Sequence, residues 1–236
     1  MADAHTSLAW VRTFYDYGFA AAQIEFRRAI ELNQSHATAH LWYGLFLGMI
    51  GRQKEAYKEI KSAIRLDPQS MANQVWGLTL LSEHRFDEAI VQFEEALDLD
   101  STFAPAQLWG LSNAYSFKSL HEDAIAAAKK AVKLSGGGTL FLLILGEVYA
   151  AAGSWKEANA ILGQLRQERE QRYVSPYGVA RIYAALGAKG KALRWLEVAY
   201  REHTGHLVWL KRDPRVDNLR TDPRFQDLLR HMNFPA

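Results

Sequence analysis

His36 and His40, in the stretch HATAH, are the first residues whose types and spacing suggest chemistry. Four residues apart on a helix, they would share one face and could hold a divalent cation edge-on. A hydrolytic metal site needs a third ligand and a general base, as in His-Glu-x-x-His, but alanine, threonine and alanine lie between these two. His203 and His206 in HTGH have the same defect. Residues 135–138 read SGGG, which invites a phosphate-loop reading but lacks the Gly-Lys-Ser/Thr that clamps phosphate and magnesium. The stretch also follows a helical pattern, where a phosphate loop follows a strand. There is no cysteine nucleophile and no Gly-x-Ser-x-Gly elbow. The sequence thus offers no catalytic residue, no metal ligand and no cofactor site, and a non-enzymatic role is expected. The last candidate is Asp-Pro-Arg, present at residues 213–215 and again at 222–224. Aspartate is a good helix N-cap and proline a good first-turn residue, so both triplets read as helix starts.

Composition narrows the class. The chain has 236 residues, 49% hydrophobic and 12% aromatic, enough apolar material for a folded core. Its longest apolar runs, such as LFLLILG from Leu140, fall well short of the roughly 20 residues of a membrane span. The N-terminus lacks the features of a secretory signal and cysteine is absent, so a cytoplasmic address is expected, without membrane attachment. With 28 Lys+Arg against 26 Asp+Glu spread along the chain, no basic stripe exists to neutralise phosphates, and direct nucleic-acid binding is not expected.

Any chemistry must be positioned by the repeats that organise the chain. Ala22, Ala56, Ala89, Ala124, Ala158 and Ala192 follow one another at intervals of 34, 33, 35, 34 and 34 residues. Four residues after each come Phe26, Ile60, Phe93, Ala128, Leu162 and Leu196, and three later Ala29, Ala63, Ala96, Ala131, Leu165 and Ala199. This i, i+4, i+7 stripe is that of an amphipathic helix with small residues where another helix comes close. A second helix precedes each of these, several ending near Gly51, Gly153 or Gly187, where a left-handed residue ends a helix.

The unit resembles the tetratricopeptide repeat. Its pattern is partly kept in Tyr43-Gly44, Trp76-Gly77 and Leu145-Gly146, in Tyr115, Tyr149 and Tyr183, and in Pro68. The first repeat departs from it, with Ala9-Trp10 in place of Leu-Gly and Thr13 in the tyrosine slot. The resemblance implies an all-α fold, a right-handed α-solenoid of about six helix-turn-helix repeats at 4–36, 37–69, 70–104, 105–138, 139–172 and 173–206. Residues 207–236 are expected to close the open end as a helical cap, with Phe225, Leu228, Leu229 and Met232 on one helix face. The chain's two ends also resemble the entry and exit of repeat regions in multidomain bacterial regulators, behind winged-helix, serine/threonine kinase or cyclase domains. That likeness implies an interaction or sensing module.

In this family the first helix of each repeat lines a concave groove. On this register the peptide-binding residues would be Leu41, Trp42, Leu45, Met49, Gln74, Leu78, Trp109, Asn113, Glu147, Tyr177 and Arg181. The clamp of lysines, asparagines and an arginine that chaperone-binding members use for a terminal carboxylate is absent from the matching positions. The expected partner is a protein or peptide, apolar or amphipathic, with Asn113 able to bond a backbone amide. The alternative is a small-molecule sensor or enzyme with a pocket between repeats. Oligomeric state is left open.

Overall fold

The six periodic alanines, Ala22, Ala56, Ala89, Ala124, Ala158 and Ala192, are wholly buried. So are Phe26, Ile60, Phe93 and Leu196 one turn on, and only Leu162 in that column keeps exposed surface. Each fully buried Phe or Ile contributes about 1.5–3 kcal/mol of transfer free energy, and alanine between them lets two helix backbones approach. The computed structural model describes residues 1–68, 71–99 and 101–234. The expected border of the second and third repeats, at 69 and 70, lies outside these, as do the last two residues of the expected cap.

Among the described residues there is no strand, and six helix pairs follow one another. They are α1 (Ala2–Phe14) with α2 (Phe19–Leu32), α3 (Ala37–Met49) with α4 (Gln53–Leu66), and α5 (Ala72–Ser82) with α6 (Phe86–Leu99). Then come α7 (Ala104–Phe117) with α8 (His121–Leu134), α9 (Thr139–Ala151) with α10 (Trp155–Glu168), and α11 (Pro176–Ala185) with α12 (Lys189–Arg201). The architecture is an α-solenoid of paired repeats. Even-numbered helices are amphipathic, whereas α3, α5, α7, α9 and α11 are buried on most sides. Helix ends follow the glycine rule at Gly51, with φ of +88°. Where no glycine is available, His84 takes the left-handed turn at φ of +60° between α5 and α6.

After α12 come two 3-10 turns, Gly205–Trp209 and Pro214–Leu219, and then α13 (Pro223–His231). Both triplets start these elements as the sequence indicates. Asp213 accepts a hydrogen bond from Arg215 N, and Asp222 from Arg224 N, each at 3.0 Å.

This tail also packs against the inside of the solenoid. Leu207, Val208, Leu210, Val216 and Leu219 are fully buried, in one core with Leu41, Leu45 and Met49 of α3 and Tyr177 and Ala180 of α11. Asn218 donates to Ala184 O at 2.8 Å. The same segment brings the two ends of the solenoid together. Tyr17 donates its hydroxyl to Thr204 O at 3.3 Å, Tyr17 stacks on Tyr200 at 6.1 Å, and Phe19 stacks on Phe234 at 4.8 Å. The result is a ring of helix pairs around its own C-terminal segment.

Candidate functional site

The eleven expected groove residues do lie along the inner helices, but the tail covers most of them. Leu41, Leu45, Met49, Gln74, Asn113, Glu147, Tyr177 and Arg181 are buried, and only Trp42, Leu78 and Trp109 are partly exposed. The physical reason is the apolar content of the tail, which finds its lowest-energy burial against the apolar inner face.

Asn113 is no longer available to a peptide amide. Its Nδ2 donates to Trp109 O at 2.9 Å, and Arg215 approaches its Oδ1 at 3.5 Å. Glu147 and Arg181 pair with each other at 3.1 Å, and Arg215 lies 3.8 Å from Glu147. Tyr177 donates to Asp213 Oδ2 at 2.5 Å, and Arg215 holds the same carboxylate through Nε at 2.6 Å and Nη2 at 2.8 Å. A buried charge cluster from α9, α11 and the tail thus occupies the centre of the ring. Burial alone would raise the Asp213 pKa, but Arg215, Arg181 and the Tyr177 hydroxyl together hold it down at about 2. Burial pushes the Tyr177 hydroxyl well above its ordinary value, helped by the Asp213 charge.

Two openings remain beside the covered face. One is a recess of about 40 Å³ where the tail crosses α5, α7 and α11, its apolar side formed by Leu78, Leu81, Trp109, Phe117 and Trp209. Arg181, Arg212, Asp213 and Arg215 form its polar side, with His206. His206 is exposed at the recess, and local desolvation by the packed side chains around it, together with Arg181 and Arg215, pushes its pKa down to about 4, leaving it neutral. The other opening is a slot of about 390 Å³ between α1 and α3, lined by Trp10, Val11 and Trp42 with Asp3, Thr6, Ser7 and Thr38. Trp10 and Trp42 meet there with ring centroids 4.5 Å apart.

The structure separates the histidine candidates. His36 pairs with Asp3 at 2.9 Å, whereas His40 bonds Glu59 at 2.6 Å and Gln34 O at 3.0 Å, so the two rings serve different partners. Among the described residues no three His, Cys, Asp or Glu side chains gather as a metal site, and no helix is long and apolar enough to cross a membrane. Gly136 and Gly137 in SGGG take φ of +64° and +78°, forming an inter-repeat turn.

The family model of the tetratricopeptide repeat matches residues 18–70, which span α2, α3 and α4. Over that segment the chain is similar to tetratricopeptide repeats. Solved structures extend the likeness over the whole solenoid. A tetratricopeptide repeat protein from Parabacteroides merdae superposes with a TM-score of 0.65 at 12% identity, covering 98% of this chain and 84% of the other. PilW, described as a widely conserved type IV pilus biogenesis factor, gives 0.63 at 16% identity, with 97% and 98% covered. PilF of Pseudomonas aeruginosa gives 0.60 at 16% identity, with 89% and 95% covered. At these identities the likeness is one of fold alone. A search of curated proteins finds no match. A tetratricopeptide-repeat fold suggests a protein-interaction scaffold.

The tail residues Arg212, Asp213 and Arg215 were not among the expected site residues. Their signal in the sequence was the doubled triplet, whose first copy lies inside the ring and whose second lies on the surface.

Proposed function

We propose that this protein is a non-enzymatic tetratricopeptide-repeat scaffold that binds a protein partner through the slot between Trp10 and Trp42. The observation that carries this reading is the tryptophan pair itself: both rings are partly exposed beside Val11, while most of the inner face further along is covered by the tail. Large aromatics that line a concave opening are the usual anchors of binding energy. The partner's contact is an amphipathic segment, a short peptide or one helix face, since Trp10, Val11 and Trp42 line the slot together with the polar Asp3, Thr6, Ser7 and Thr38. The likeness of the chain's ends to the repeat regions of multidomain bacterial regulators supports a role as their interaction or sensing module.

The test is affinity capture from a bacterial lysate, followed by calorimetry with the purified partner. Replacing Trp42 with alanine should weaken binding by about 2 kcal/mol or more, the range of an anchor residue. Lys54→Ala and Lys58→Ala, on α4, should bind as the unaltered protein does. Full affinity in a folded Trp10→Ala, Trp42→Ala double variant would overturn the assignment of the slot.

A further inference from the structure

The central recess contains one more positive charge than its acids balance. Arg181 and Arg215 face Glu147 and Asp213, two guanidiniums against two carboxylates, at separations of 2.6 to 3.9 Å. Arg212 is a third guanidinium on the wall and pairs with no acid among the described residues. Its Nε is buried without an acceptor. The end of α3 lies near its Nη1, at Gly51, but a helix C-terminus supplies only about half an elementary charge. His206 adds no charge of its own, because local desolvation and the neighbouring arginines hold it neutral. Trp109 Nε1 is a second buried donor without an acceptor. Arg181 Nε and Glu147 Oε2 also lack a hydrogen bond but face each other as an ion pair at 3.1 Å. That leaves two donors, Arg212 Nε and Trp109 Nε1, and makes the missing chemistry an acceptor with negative charge.

Size narrows the class. A volume of about 40 Å³ has room for about three waters, or three to four non-hydrogen atoms. That holds a carboxylate with its first carbon, and the rest of the ligand has to extend beyond this volume along the apolar wall. A carboxylate also accepts two parallel N–H bonds from one guanidinium, which a single lysine could not offer. The remaining wall is apolar and suits a hydrocarbon body rather than a second charged group.

We propose that the recess binds the carboxylate of a small apolar acid through Arg212, with the body of the ligand against Trp109 and Phe117. The site is separate from the Trp10–Trp42 slot and stands or falls independently of it. Two sources offer this chemistry: a free short-chain or aromatic acid, and the C-terminal carboxylate of a peptide ending in an apolar residue.

Titration calorimetry on the full chain, with tryptophan fluorescence in parallel, tests the proposal. The probes are butyrate and benzoate, their amides, and a short peptide ending in valine with its terminus free or amidated. The expected result is saturable binding of at least one carboxylate and none of the matching amide. Arg212→Gln should weaken it about tenfold or more, as loss of a charge-assisted bond does. Arg230→Gln, altering an exposed arginine paired with Asp227 on α13, should bind normally. Binding of the free-terminus peptide without butyrate or benzoate would support the site and assign the peptide source. Should Arg212→Gln not fold, Arg212→Lys, which keeps the charge and loses the fork, should bind several-fold more weakly. No saturable carboxylate binding, equal binding of the amides, or unchanged affinity in a folded Arg212 variant would overturn the proposal.

Discussion

Arg215 grips both oxygens of Asp213, two residues before it, and does so in the interior of the ring. Arg224 repeats the same grip on Asp222 at the surface, at 3.1 and 2.9 Å. Identical local geometry in opposite surroundings makes a controlled comparison. Asp213→Asn keeps a cap for the 3-10 turn but leaves Arg215 and Arg181 with one carboxylate between them. It should destabilise the fold by about 3–5 kcal/mol, the cost of breaking a buried pair. Asp222→Asn should leave the urea midpoint close to that of the unaltered protein, because water already solvates that pair.

Acid should weaken the fold in two stages. His206 has a folded pKa of about 4, below its ordinary 6.5, so the unfolded chain takes up the proton first. Its contribution is full above about pH 6.5 and is lost as pH falls towards 4. Asp213, lowered from 3.8 to about 2, contributes above pH 3.8 and loses that contribution as pH falls towards 2. His40 acts in the opposite direction: Glu59 raises its pKa, so its contribution is present below pH 6.5 and fades as pH rises. Denaturant midpoints measured at intervals from pH 7 to pH 4 should fall less steeply in His206→Gln than in the unaltered protein. Parallel curves would contradict this assignment.

Phe93 fills the space that a side chain at Gly110 would need. A Cβ added there would lie 2.2 Å from the ring, against 2.7 Å at Gly77 on the preceding inner helix. Gly110→Ala should therefore destabilise by about 1–3 kcal/mol through overpacking. Gly163, mid-helix in α10 and exposed, has nothing within 4 Å of an added Cβ, so Gly163→Ala should stabilise by about 0.5–1 kcal/mol. Chemical denaturation of the two variants should move the midpoint in opposite directions.

Ending the chain after residue 206 should uncover the inner face at once. Leu207, Val208, Leu210, Val216 and Leu219 leave the core together, and the charges of Glu147 and Arg181 lose Asp213 and Arg215. Size-exclusion chromatography should show aggregation, or calorimetry a broad transition in place of a cooperative one. A soluble monomer with unaltered melting would refute a structural role for the tail.

The helix pairs could be read from the sequence because their contacts recur with the chain's own period. Ala56 meets its neighbours as Ala22 does, one repeat earlier. The triplets were readable for a local reason, since an N-cap depends on residues two positions away. The course of the tail was not readable. Asn113 and Arg215 are 102 residues apart, and no periodicity links them. An apolar tail suits an outer cap and an inner plug equally well, because hydrophobic burial carries no direction. Glu147 and Arg181 lie on α9 and α11, but polar side chains there do not reveal whether a ligand or the chain itself will pair with them.

The bond between Tyr17 and Thr204 spans 187 residues, whereas a solenoid's contacts ordinarily stay between adjacent repeats. Contacts at such separation raise the contact order and slow the search for the native state. During synthesis the repeats leave the ribosome before residues 207–234 do, so helix pairs can form while the apolar inner face is still without its cover. The interval between completing the repeats and seating the tail is therefore when the nascent chain is most open to chaperones and to misassembly with its own kind.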